Sequence, residues 1–140
     1  MPEDAEDRDA IRDLLARYTY NGDRGRIAKL AACFADDGTF EFPGAFATGP
    51  AEVAASLGRG TPQPGRTFVQ HHITNPLIDL AGDKATARSY FAVWSNNGPD
   101  HSGTYNDRLI RTASGWRFAH RQVRIDWQSP ESLWPPMAGR

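Results

Sequence analysis

The stretch VQHHITNPLIDLAGD, Val69 to Asp83, sets two adjacent histidines in a run that alternates apolar and polar residues. A period of two is the pattern of a half-buried β-strand. Val69, His71 and Ile73 share one face and Gln70, His72 and Thr74 the other, so the apolar company of His71 turns it toward the interior. Asn75-Pro76 interrupts the run. A proline inside a strand removes a ladder donor, so a bulge or bend is expected there rather than an end. The strand resumes through Leu80, turns at Gly82-Asp83 and returns as Ala85 to Ser95. Beyond a loop expected at Asn96 to Ser102, the segments Thr104 to Thr112 and Trp116 to Asp126 flank a Ser114-Gly115 turn, which predicts an antiparallel meander.

Upstream the period lengthens. Ile11, Leu14, Leu15 and Tyr18 recur at i, i+3, i+4 and i+7, the stripe of an amphipathic helix from about Ala5 to Tyr20 with an acidic first turn. Asn21-Gly22 is expected to close it. Ile27, Leu30, Ala31 and Phe34 mark a second helix, with Asp23 placed to accept amide hydrogen bonds at its start. Asp36-Asp37-Gly38 reads as a turn, Thr39 to Phe42 as a short strand, Pro50 to Leu57 as a small third helix and Arg59 to Gly65 as a loop. The last residues, SPESLWPPMAGR, predict an extended tail over 128–140 that docks, if at all, through Leu133 and Trp134. Helices followed by a long, bent antiparallel sheet make an α+β pattern, a cone with a pocket at its open end.

At 140 residues and 15.5 kDa the chain fits one domain, residues 1–140, with a core over about 5–127. Lys and Arg number 16 against 17 Asp and Glu, so there is no global field to draw the protein onto nucleic acid or an anionic membrane, and neither partner is expected. The single cysteine, Cys33, cannot form an internal disulfide. No metal-binding helix pair, Gly-rich phosphate loop or nucleophile elbow appears, so no metal and no cofactor is expected. The acidic start MPEDAEDRD lacks the basic and apolar regions of a signal peptide, and no run reaches membrane-spanning length, which points to the cytoplasm.

An imidazole among apolar neighbours needs a partner, since an unpaired buried polar group costs about 1–3 kcal/mol. Asp23 and Tyr18 are the candidates for His71. A carboxylate that fixes one tautomer and raises its basicity would make an acid–base pair working near neutral pH. The same residues also fit a helix N-cap, a helix-stripe core residue and a satisfied core histidine. The aromatics Tyr20, Phe42, Phe46, Phe68, Phe91, Trp94, Trp116, Phe118 and Trp127 suit an apolar ligand cavity or dense packing. Of these, Tyr20, Phe42, Phe68, Phe91, Trp94 and Trp127, together with Asn96, are the expected ligand contacts. Asp107 and Arg108 alternate across a strand, and Arg108 or Arg124 could grip a carbonyl or sit in a solvated ion pair. His101 and His120 are expected in a loop and on the surface.

The order RYTYNGDRGRIAKLAACFADDGTFEFPG, GPAEVAASL, VQHHITN, GDKATARSYFAVW, GTYNDRLIRTASGWRFAHRQVRID resembles SnoaL-like proteins of the NTF2-like superfamily over residues 5 to 127. The resemblance implies helices packed on a strongly curved, mainly antiparallel sheet that encloses a pocket. Within that superfamily the chain is similar to the scytalone dehydratase and bile acid 7α-dehydratase groups. These use a tyrosine and an aspartate near the end of the first helix and a histidine on the strand after the third, and Tyr18, Asp23 and His71 match those positions. The next strand would supply a further acid or histidine near Trp94 to Asn96, where this chain has Trp94, Ser95 and Asn96. Phe42 stands where ketosteroid isomerase carries its base, which argues against that isomerisation. The Asp-Arg-Asp constellation of limonene epoxide hydrolase is only hinted at by Asp107-Arg108. The resemblance therefore implies a cofactor-independent dehydratase or cyclase for a small apolar cyclic or polyketide-like molecule. The alternative is a non-catalytic module for hydrophobic ligands or assembly, like the β subunits of ring-hydroxylating dioxygenases. Relatives pair through the sheet, so a homodimer using Trp116 and Trp127 is expected, with trimers also known in the superfamily.

Overall fold

The computed structural model describes residues 2–58 and 65–137. Its elements run α1 (Pro2–Asp23), α2 (Ile27–Ala31), β1 (Phe34–Phe42), β2 (Ala45–Thr48), α3 (Gly49–Gly58), β3 (Val69–Ala81), β4 (Lys84–Ser95), β5 (Gly98–Thr112) and β6 (Gly115–Gln128). The six strands form one sheet in the order β2-β1-β6-β5-β4-β3, antiparallel except for the β1–β6 pair. This is the α+β arrangement the periodicities predict. No described helix is long and apolar enough to cross a membrane.

Bulges curve the sheet. The β3–β4 register shifts between Thr74 and Leu77, and Asn75 takes φ 56°, so the proline-marked bend is present. One extra residue changes which face is inward: Val69, His71 and Ile73 face in before it, Ile78 and Leu80 after it. In β6 the pairing steps past Ala119 and again past Asp126, and in β5 past Asp100. Curved in this way, the sheet wraps α1, whose Ile11, Leu14, Leu15 and Tyr18 are buried against Phe34, Phe40, Tyr105 and Phe118.

Several boundaries differ from expectation. Helix α1 does not close at Asn21-Gly22. The Asn21 side chain donates back to the carbonyl of Arg17 at 2.8 Å, and Gly25, at φ 72°, ends the turn. Gly22 instead admits α2, since a Cβ there would lie 2.8 Å from Leu30 Cδ1. Asp23 is thus the last residue of α1 and not a cap of α2, whose N-cap is Arg26 with no side-chain hydrogen bond. Asp36-Asp37-Gly38 lies inside β1, where Gly38 passes so close to the carbonyl of Phe118 that a Cβ would sit 2.5 Å from it. Strand β2 was not foreseen, being too short for a periodic signal. The loop expected at Asn96 to Ser102 shrinks to a turn, and β5 begins at Gly98. Of the loop Arg59 to Gly65, residues 59–64 lie outside the described residues, as do 138–140 of the tail.

Candidate active site

A cavity of 580 Å³ opens between the end of α1, α2, the inner faces of the sheet strands and the tail. Tyr18, Asp23, His71, Phe42 and Phe91 all border it. His71 is held twice by one carboxylate: its Nδ1 donates to Asp23 Oδ1 at 2.5 Å, and its backbone N–H donates to Asp23 Oδ2 at 2.7 Å. The pair is sheltered, with the His71 and Asp23 side chains 27% and 10% exposed. Because a carboxylate only accepts, the proton rests on Nδ1 and Nε2 is left as the acceptor. Continuation of α1 to Asp23 is what brings the carboxylate across to β3. The Phe91 ring stacks on the imidazole at 6.2 Å.

Tyr18 is buried, edge-on to Tyr105 and Phe118 with 5.9 Å between ring centroids. Burial pushes its phenol up to about 12, so it stays a hydrogen-bond donor at any physiological pH. Among the described residues no hydrogen bond joins it to His71 or Asp23, although all three border one cavity.

The other expected ligand contacts divide. Phe42 and Phe91 line the cavity; Tyr20, Phe68, Trp94, Asn96 and Trp127 do not. Tyr20 lies on the solvent side of α1 beneath the Arg24 guanidinium, 3.6 Å from its ring centroid. Phe68 and Trp94 have the opposite parity to Val69 and Val93, so they are exposed, and Trp94 stacks on His72 outside the sheet. The bulge at Asp126 leaves Trp127 exposed. Asn96 instead pins the segment before β3, accepting from the Thr67 amide and donating to the Gly65 carbonyl, each at 2.9 Å. Trp116, expected on an outer dimer face, is a core residue whose indole donates to Asp7 at 3.1 Å.

Two buried sites escaped the sequence. His101, expected in a loop, lies on β5 at the cavity wall and donates from Nδ1 to Asp100 at 2.7 Å. The clue was available: Leu109, Asp107, Tyr105 and Gly103 alternate back to His101, but the Asn, Gly and Pro residues before it read as loop. Burial would raise the Asp100 carboxyl, but hydrogen bonds from Ser132, His101 and Leu133 outweigh it and hold the group below the usual range. Burial lowers His101, only partly offset by Asp100. The second site is Arg121, fully buried, which grips Asp107 through Nε at 2.8 Å and Nη2 at 2.9 Å and sits 3.8 Å from the Tyr105 ring centroid. Arg108 and Arg124, the arginines considered for ligand contact, are exposed. The bulge at Ala119 reverses the alternation begun by Trp116 and Phe118, and so turns Arg121 inward and His120 away from that row.

A SnoaL-like domain model matches residues 3–122. No curated protein matches the chain. Among solved structures, the Mycobacterium tuberculosis protein Rv3472, of unknown function, is 31% identical with a TM-score of 0.77, over 89% of this chain and 75% of that one. An NTF2-like protein with a cystatin-like fold from Novosphingobium aromaticivorans is 28% identical, TM-score 0.78, over 91% and 87%. A second protein from that organism, whose proposed activity is scytalone dehydratase, shares the fold with a TM-score of 0.79 at 24% identity over 100% and 99%. With its helices set on one curved sheet around a cavity, and with the model matching most of its length, the chain belongs to the SnoaL-like family of the NTF2-like superfamily.

Proposed function

We propose that the protein is a cofactor-independent acid–base enzyme of the dehydratase or cyclase type, acting on a small, mostly apolar cyclic or polyketide-like molecule. The observation that carries this reading is the 2.5 Å bond from His71 Nδ1 to Asp23 at the cavity wall, which leaves Nε2 as a base. His71 would take a proton from the carbon beside a carbonyl and, in a dehydration, return it to the departing β-hydroxyl, which leaves as water. Asp23 would stabilise the imidazolium, and the Tyr18 hydroxyl would donate to the oxygen on which charge develops. Each such contribution is worth about 10²–10⁴ in rate. The aromatic wall of Phe40, Phe42 and Phe91 supports an apolar substrate.

The test is a panel of cyclic β-hydroxy ketones, followed by the ultraviolet absorbance of the conjugated product. On a substrate that the parent turns over, His71→Ala should abolish turnover and Asp23→Asn should slow it by about 10²-fold or more. A His71→Ala protein as fast as the parent would remove His71 from the chemistry.

A further inference from the structure

A second imidazole, outside the proposed trio, borders the same cavity. His71, Val93 and His101 form one row across β3, β4 and β5, so the two histidines share the inner face two strand spacings apart, about 10 Å between Cα atoms. Phe91 stands between their rings, 6.2 Å from each. The extra residue in β5 turns Asp100 and His101 inward together, which plain alternation forbids. The Asp100 side chain, 0% exposed, accepts from His101 Nδ1 at 2.7 Å, from Ser132 Oγ at 2.6 Å and from the Leu133 amide at 2.8 Å. Two of those donors belong to the tail, whose Trp134 meets His101 edge-on at 5.1 Å.

With Nδ1 committed to a carboxylate, His101 offers Nε2 as a lone-pair acceptor. That atom has no protein partner among the described residues, and the ring lines the cavity. A bound molecule that displaces water from this acceptor must bring a donor of its own or leave it unpaired.

We propose that His101 Nε2 receives a hydroxyl of the bound molecule, two strands along the same pocket wall from His71, and that the tail fixes this acceptor by holding Asp100. The ligand class is therefore an apolar molecule carrying an alcohol or phenol about two strand spacings from the carbon that His71 deprotonates. This deepens the proposed function and rests on it only in placing both histidines against one ligand. The titratable and charged groups that share the cavity with His101 are Tyr18 and Asp23 of α1, Arg66 before β3, His71 of β3 and Tyr105 of β5, with Asp100 behind it. Burial lowers the pKa of His101, partly offset by Asp100, and a cationic His71 on the same cavity wall would lower it further.

The experiment compares 2-naphthol, which can donate, with 2-methoxynaphthalene, which cannot, by titration calorimetry on the full chain. The parent should prefer 2-naphthol by about 3–10-fold. His101→Phe should erase the preference while still binding 2-methoxynaphthalene. Asp100 is a positioning residue: an amide donates as well as accepts, so Asp100→Asn should let His101 adopt the other tautomer, read from its imidazole ¹⁵N shifts, and shrink the preference. A parent that does not favour 2-naphthol overturns the proposal. So does a preference that survives His101→Phe, or one lost in His71→Ala, which would seat the hydroxyl on the other histidine. Failure of the proposed function shows elsewhere, as turnover persisting in His71→Ala.

Discussion

The His71 imidazole rests on Asp23 inside the cone, while that of His72, one residue on, stacks against Trp94 outside it. Parity along an alternating strand separates the two from sequence alone, because Val69 and Ile73 flank His71 on its own face. The same logic fails at Arg121, where a one-residue bulge reverses the faces with no glycine or proline to signal it. Arg121 and Asp107 are both 0% exposed, and Arg121 Nη1 has no partner among the described residues. Removing one member of such a pair strands the other charge in the core. Arg121→Met should therefore lower stability by about 3–5 kcal/mol in urea unfolding, and adding Asp107→Leu should restore much of it. An additive double variant would mean the two charges are independent. Asp23 was legible as a candidate partner of His71 through helix spacing and family resemblance, whereas Tyr18, the other candidate, shares the cavity without bonding to it; the Asp100 and His101 pair was hidden by the loop-like residues before it.

Elements were legible where their signal is local. The stripe of α1 and the return of β3 into β4 follow from periods of 3.6 and 2, and the Asn75-Pro76 bend follows from a missing donor. The length of β5 was not legible, because pairing with β4 overrides the poor strand propensity of its first residues. Within β5 one glycine has a steric reason. A Cβ on Gly103 would lie 1.8 Å from the carbonyl of Arg124 and 2.8 Å from the Phe91 ring. That gap lets Phe91 stack on Tyr105 with centroids 4.5 Å apart, which sets the cavity wall. Gly103→Ala should cost about 3 kcal/mol or more in chemical denaturation, since both backbone and ring must move. An unchanged midpoint would show that β5 and β6 can part there freely.

Across the whole molecule, α1 is fastened at both ends. Near its start Asp7 accepts two bonds from Arg111, each 2.8 Å, and at its end Asp23 holds His71. The hydrogen bonds from Arg111 and Trp116 lower the Asp7 carboxyl, and those on Asp100 lower that group too. A depressed carboxyl stabilises the fold above its unfolded value of about 4 and loses that contribution as pH falls through the folded value. His101 has the same sign at a higher pH. Its folded value is below 6.5, so the unfolded chain binds the proton first and stability starts to fall as pH drops under about 6.5. Unfolding free energies at pH 7.5, 6.5 and 5.5 should therefore decline for the parent and decline less for His101→Phe. Equal slopes would show that His101 is as easily protonated folded as unfolded.

The roof of the cavity is made by Trp134, Pro135 and Met137, residues that belong to no strand of the sheet. Gln128 anchors them, donating to the carbonyls of Trp134 and Pro135 and accepting from the Met137 amide, while Asp100 holds Ser132 and Leu133 just before them. Drift at Pro135 or Met137 would reshape the chamber without disturbing any ladder. A lineage could thus change the size and lining of the hollow by editing this short strip, while the six-stranded frame descends unaltered.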